Sequence, residues 1–240
     1  MNLLSTNYMN FITKLKRFLR RSLEKFNFIE KQTVCFSQEG EDLILDELFS
    51  GLKNGFYIDV GAYHPYRFSN TYLFYSKGWT GINIDARPGS MEMFKRLRPN
   101  DINLELAVGL ENKTLDYFMF DEPGLNGFSK EISENRDKNT PFKIINKVEI
   151  SLKRLEDVLE THMPKNREID FMSIDVEGFD FEVLASNNWD KFRPRIILIE
   201  TSVTSDGLAL GSPIDSFLNS KNYSLIAKTF RTSFYQLNVC

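Results

Sequence analysis

The stretch 56-FYIDVGAYHPYRFSNT-71 opens as a buried strand, turns on one glycine, and continues into histidine, proline and aromatic residues. An apolar strand that runs straight into a glycine turn is the first unit of a nucleotide-binding α/β fold. The phosphate-cradling fingerprint of such folds needs two more glycines, one for close backbone approach to pyrophosphate and one for helix packing. Here GAYHPY supplies only Gly61. The strand thus points to the α/β fold, and the turn points to a ligand held without a phosphate cradle.

Working outward, apolar runs predict further strands at 81–85, 103–108, 169–175 and 195–200, with helical segments between several of them. That alternation implies a mostly parallel sheet covered by helices on both faces. Two closely spaced runs, Tyr223–Lys228 and Thr232–Leu237, can pair only antiparallel across so short a connection. Before the first strand, Ser37 is positioned to cap a helix whose first turn is acidic (Glu39, Glu41, Asp42), with Leu43, Ile44, Leu48 and Phe49 as its apolar stripe and Gly51 as its stop.

With 240 residues the chain suits one well-buried α/β domain. Residues 1–30 read as a separate leader, and 31–240 as the domain. In the leader, Phe11, Ile12, Leu15, Phe18, Leu19, Leu23 and Phe26 recur at helical spacing opposite Lys14, Lys16, Arg17, Arg20, Arg21 and Lys25. Such a basic amphipathic helix suits peripheral contact with an anionic membrane, or packing on the protein's own sheet or on a second subunit of a homo-oligomer. Its charges interrupt any membrane span or signal core. The segment 121–147, DEPGLNGFSKEISENRDKNTPFKIINK, is polar and weakly periodic, and is expected to be an inserted loop or lid.

A formal net charge of −3 gives no basic surface for nucleic acid. The two cysteines, Cys35 and Cys240, form neither a disulfide framework nor a thiolate metal motif, which fits a reducing, cytoplasmic setting.

Four of the predicted strands end in a carboxylate: Asp59, Asp85, Asp175 and Glu200. Ligands of open α/β sheets bind outside the carboxyl ends of the strands, so these acids are expected to converge on one crevice. An acid after a strand often only caps the next turn, but four together favour a functional cluster. Carboxylates repel phosphate and suit a ribose diol, an amine and a cationic centre. S-adenosylmethionine carries all three. Asp85 occupies the position from which an acid binds both ribose hydroxyls, Gly61 allows close approach, and Asp59 orders the turn or meets the cofactor's charge.

At these residues the sequence resembles the FkbM family of S-adenosylmethionine-dependent methyltransferases. The likeness runs through SQEGEDLILDELF, GFYIDVGAYHPYRFSNTYLFYSKGWTGINIDARP, NLELAVG, VEISLKRLEDVL, IDFMSIDVEGFDFEVL and RPRIILIE, over about 37–201. It implies a class I methyltransferase (Rossmann-like) fold with a seven-stranded, mostly parallel sheet whose last strand is antiparallel. It further implies that Ser37, Gln38 and Glu39 lie at the cofactor-side entrance, that Asp59 and Gly61 form the first cofactor motif, and that Asp85 is the ribose acid. On the same resemblance Leu106 and Ala107 border the adenine, while Asp175 and Glu177 belong to the active-site rim. Tyr63 and His64 depart from the small or polar residues usual after that glycine.

Transfer of a methyl group to a hydroxyl needs a proton acceptor, and Asp175, Glu177 and His64 are the candidate bases. His64 reads equally as a structural residue before Pro65. Asp175, Glu177 and Glu200 would alternatively suit a divalent cation, magnesium or manganese. Tyr72, Phe74, Tyr75, Trp79 and Trp189 read as core, and Asn70 and Thr71 as neighbours of the cofactor turn. The expected activity is O-methylation of a carbohydrate, in surface polysaccharide or glycan biosynthesis, the sugar resting on the resemblance alone. The other readings are O-methylation of a small-molecule natural product, and a non-catalytic module that binds a membrane or a partner.

Overall fold

The computed structural model describes residues 33–201 and 211–238. The chain separates into two units, Met1–Val34 and Cys35–Cys240. The basic leader expected over 1–30 lies outside the described residues. No helix among the described residues is long and apolar enough to cross a membrane.

The sheet grows from the quoted strand. β1 (Phe56–Val60) is buried at every position and pairs parallel with β2 (Thr80–Asp85) on one side and β7 (Phe171–Ile174) on the other. A strand buried on both faces reads as an unbroken apolar run, which is why FYIDV and FMSI lack alternation. Outside these lie β3 (Ile102–Glu105) next to β2 and β8 (Ile196–Glu200) next to β7, all parallel. β9 (Tyr223–Lys228) and β10 (Thr232–Leu237) form the expected antiparallel hairpin. The order is β3-β2-β1-β7-β8-β10-β9, so the last strand, β10, slots antiparallel between β8 and β9 rather than at the edge.

Even and odd positions of β1 serve different layers. Phe56, Ile58 and Val60 pack with Ile82, Ile84, Met172, Ile197 and Ile199 in the larger core. Tyr57 faces the other layer, with Leu45, Phe49, Phe74, Trp79 and Phe171. The helices are α1 (Glu41–Leu48), α2 (Tyr72–Ser76), α3 (Met91–Leu97), α4 (Lys130–Asn139), α5 (Leu155–His162), α6 (Asp180–Ala185) and α7 (Pro213–Ser220). Phe74, Trp79 and Trp189 are buried, as core residues should be.

Three expectations change. The strand expected over 103–108 is two: β3 stays in the main sheet, and β4 (Ala107–Val108) leaves it to pair with β6 (Ile144–Lys153). The hinge is Leu106, whose N–H donates to the Asp85 carbonyl at 3.1 Å. The segment 121–147 is not an irregular loop: it contains a 3-10 turn (Pro123–Leu125), α4, and the start of β6. β6 pairs antiparallel with β5 (Thr114–Phe120), making a second, three-stranded sheet of order β4-β6-β5. Finally, Ser37 does not cap α1. The cap is Gly40, and the Ser37 hydroxyl instead donates to Asp42 Oδ1 at 2.7 Å and accepts the Asp42 N–H at 3.3 Å.

Candidate active site

A cavity of about 490 Å³ opens beyond the carboxyl ends of β1, β2, β7 and β8. Its floor is the meeting of two turns. Gly61 has φ +87°, and a Cβ there would fall 1.8 Å from the Asp175 carbonyl oxygen. Only glycine satisfies both the conformation and the approach. The Gly61 N–H donates to the Ile84 carbonyl at 2.9 Å and the Asp175 N–H to the Val60 carbonyl at 3.0 Å, so three adjacent strands fix this floor.

Of the residues singled out in the sequence, Gln38, Gly61, Asp85, Leu106, Ala107, Asp175, Glu177 and Glu200 line this one cavity. Asp85 ends β2 with Oδ2 accepting the Tyr63 N–H at 2.9 Å and Oδ1 accepting the Arg87 N–H at 2.8 Å. Each carboxylate oxygen keeps a further lone pair for a ligand hydroxyl. Burial raises the Asp85 pKa, and the two backbone N–H groups oppose that rise.

Asp175 and Glu200 sit side by side. Burial raises the Asp175 pKa well above the carboxylate range, and Glu200 and Asp180 add repulsion. Burial also raises that of Glu200, followed by repulsion from Glu177, while Arg231, Arg136 and a hydrogen bond from Asp175 oppose it. Two close carboxyls that cannot both ionise share a proton. Glu177 has φ +54°, and its Oε2 accepts from Arg136 Nη2 at 2.8 Å. Asp180 holds the same turn by accepting the N–H groups of Val176 and Gly178, each at 3.1 Å.

The structure separates four other candidates from the cavity lining. Asp59 lies beneath the Gly61 turn, buried, accepting from the Thr71 hydroxyl at 2.8 Å. Arg98, fully buried, donates to Thr71 Oγ1 at 3.0 Å, to the Tyr57 hydroxyl at 2.6 Å and to Asp101 at 2.8 Å. Asp59 thus belongs to a buried polar network under the sheet, and burial pushes its pKa up to about 6. His64 Nδ1 accepts the N–H groups of Tyr66 and Arg67 at 3.3 and 3.1 Å, so this ring organises a turn. Burial lowers its pKa, and Arg67 and Arg87 lower it further. Ser37 is occupied by Asp42. Glu39 accepts the Arg231 N–H at 2.9 Å and so ties the approach to α1 to the β9–β10 turn.

Asn70 and Thr71 do neighbour the cofactor motif, bonding to Ser173 and Asp59, but neither lines the cavity. For the divalent cation, the described residues hold no group of three or more His, Cys, Asp or Glu side chains arranged to bind one.

Sequence reasoning missed the wall opposite the strand ends. The 3-10 turn and the bridge between Phe118 and Gly127 bring Gly124, Leu125, Asn126 and Phe128 to the cavity, and α4 brings Arg136. Asn126 Oδ1 accepts the Phe120 N–H at 2.7 Å, closing this wall on β5. A signal for α4 was present: Ser129 caps it by accepting the Ile132 N–H, with an acid, Glu131, in the first turn and Arg136 and Lys138 in the last. Tyr63, Arg67, Phe68 and Tyr117 also line the cavity.

Strand order, the antiparallel insertion of β10 and a cavity at the strand ends define the Rossmann-like architecture of S-adenosylmethionine-dependent methyltransferases. The chain belongs to the methyltransferase FkbM domain family, whose sequence model matches residues 59–225. The crystal structure of methyltransferase FkbM from Methylobacillus flagellatus KT resembles it with a TM-score of 0.51 at 11% identity, over 84% of this chain and 48% of that one. The chain therefore spans about half the length of that protein, and the likeness is one of fold. A TehB-like SAM-dependent methyltransferase from Corynebacterium glutamicum ATCC 13032 Kitasato matches at a TM-score of 0.42 and 9% identity, over 98% of this chain and 100% of that one. No curated protein matches the chain.

Proposed function

We propose that the protein is an S-adenosylmethionine-dependent O-methyltransferase acting on a carbohydrate hydroxyl, in glycan or surface polysaccharide biosynthesis. One observation carries the reading: Asp85, the Gly61 turn and the Asp175–Glu200 pair, from four adjacent strands, border a single cavity at the strand ends. The donor set fits the cofactor. Asp85 presents carboxylate oxygens for a ribose diol, Leu106 and Ala107 offer an apolar edge for adenine, and the floor at Gly61 admits no side chain. Three acids without a phosphate cradle suit a sulfonium and an amine.

S-adenosylmethionine, when bound, supplies an electrophilic methyl group on a cationic sulfur. The remaining work is positioning and proton removal. Asp85 orients the nucleoside. Glu177, held by Arg136 at 2.8 Å, orients the acceptor hydroxyl at the rim. The ionised member of the Asp175–Glu200 pair receives the hydroxyl proton at a carboxylate oxygen, its basicity raised by burial. The turn-forming bonds of His64 make it a positioning residue here.

Calorimetry with S-adenosylmethionine tests the first half of the reading, and transfer of a labelled methyl group to fractionated cell-envelope glycan precursors tests the second. Tight cofactor binding with label appearing at a sugar oxygen is the expected outcome. Absence of cofactor binding overturns the enzyme, and label on a non-sugar product overturns the substrate class.

A further inference from the structure

The loop between the Gly61 turn and α2 carries side chains that this chemistry leaves unused. Tyr63 and Phe68 each hold φ +53°, a conformation that bulky residues rarely adopt. The surroundings enforce it. His64 Nδ1 accepts two backbone N–H groups of the loop, the Ser69 N–H donates to the Phe36 carbonyl at 3.0 Å, and the Tyr63 hydroxyl donates to Glu122 Oε1 at 3.0 Å. Strain held in this way at a cavity marks a functional constraint.

What the loop presents is a shelf. The rings of Tyr63 and Phe68 lie 17° from parallel with centroids 6.4 Å apart. Arg67 Cζ lies 4.8 Å from the Phe68 centroid and 5.9 Å from that of Tyr63. All three residues line the cavity, and Phe68 remains 48% exposed.

Charge separates Arg67 from the other arginines there. Arg136 pairs with Glu177 at 2.8 Å, and Arg231 Nε lies 3.8 Å from Glu39 Oε1. Among the described residues, Arg67 has no carboxylate within ion-pair distance. A guanidinium held over the exposed Phe68 ring and beside the half-buried Tyr63 ring, in an otherwise acidic cavity, matches an anionic group set beside a ring with an apolar face. A methionyl tail has no such ring.

We infer that Tyr63, Arg67 and Phe68 form the acceptor shelf, selecting a sugar that carries a carboxylate or a phosphate. The inference rests on the methyltransferase reading of this cavity and names the acceptor class. The test is saturation-transfer NMR on the full chain loaded with S-adenosylhomocysteine, with glucuronic acid, glucose 6-phosphate and glucose as probes. At least one acidic sugar is expected to bind about tenfold better than glucose, the effect of a charged hydrogen bond. The preferred acid distinguishes carboxylate from phosphate. Arg67→Gln should abolish the preference and Arg67→Lys restore part of it, Phe68→Ala should weaken all three sugars, and S-adenosylhomocysteine affinity should be unchanged by Arg67→Gln. Equal binding of glucose and both acids, binding of none, or loss of S-adenosylhomocysteine affinity in Arg67→Gln overturns the shelf. The last result would assign Arg67 to the cofactor's own carboxylate. A wild-type chain that fails to bind S-adenosylhomocysteine overturns the underlying cofactor reading instead, and the shelf with it.

Discussion

Arg136 on α4 and Glu177 on the turn after β7 meet at 2.8 Å, while the same guanidinium donates to the Leu125 carbonyl at 2.8 Å. One side chain therefore joins the inserted segment to the strand-end turn across the cavity. Each member of the pair is about a fifth exposed (21% and 22%), so solvent screens it only in part. Removing Arg136 in Arg136→Ala should cost on the order of 1–2 kcal/mol of stability. A double-mutant cycle with Glu177→Gln, read by urea unfolding, should show coupling of at least about 0.5 kcal/mol. Strict additivity would mean that the pair does not tie the two segments.

Asp85→Ala should weaken cofactor binding by about 1.5–3 kcal/mol, the range for a hydrogen bond to a charged group. Calorimetry with S-adenosylhomocysteine reads this directly. Because Asp85 also accepts the N–H groups of Tyr63 and Arg87, an unfolding curve on the same variant separates lost ligand contact from a collapsed turn. Unchanged affinity removes Asp85 from the cofactor.

Under the roles proposed for them at the acceptor, Glu177→Gln and Asp175→Asn should lower turnover while leaving cofactor affinity largely intact. Single-turnover methyl transfer beside calorimetry makes the split visible. Wild-type rates in both variants would remove Glu177 from orienting the acceptor and leave Glu200 as the only member of the pair able to take the proton.

Gly61→Ala should destabilise the fold by more than about 2 kcal/mol, since the new methyl must displace the Asp175 carbonyl and adopt a φ that alanine avoids. Thermal unfolding decides it, and an unshifted midpoint would show that the two turns can separate.

Burial pushes the Asp180 pKa up to about 7. A raised carboxylate pKa favours the folded state most when the group is protonated. The stabilisation is complete below the unfolded value near pH 3.8 and fades as pH rises through about 7. The stability of wild type relative to Asp180→Asn should therefore fall across that window, by up to about 4 kcal/mol for a shift of this size. Chemical denaturation at several pH values measures it. A difference that is flat from acid to neutral pH would place the Asp180 pKa at its ordinary value.

The centre of the main sheet was legible in the chain because β1, β2, β7 and β8 are buried on both faces and so read as apolar runs with an acid at or next to their ends. Phe56–Val60, Tyr223–Lys228 and Thr232–Leu237 fall where the apolar pattern puts them. The acids at 85, 175 and 200 reach one cavity because parallel strands in register carry their carboxyl ends to the same edge. Period and turn chemistry are local properties, and local properties survive in sequence.

Tertiary structure decided what depends on distant partners. β5 and β6 pair across the whole of 121–143, too far apart for a turn signal to announce them, and α4 buries only Ser133, so it has no apolar stripe to read. Asp59 looked like its neighbours at the strand ends, yet Thr71 and Arg98, brought beneath β1 by the helices, draw it into the interior. His64 had the right intrinsic pKa for a base, but the path of the loop turned its Nδ1 onto two backbone N–H groups. A strand's pattern says which face a side chain takes, and only the packing of other elements on that face says whether it meets ligand or core.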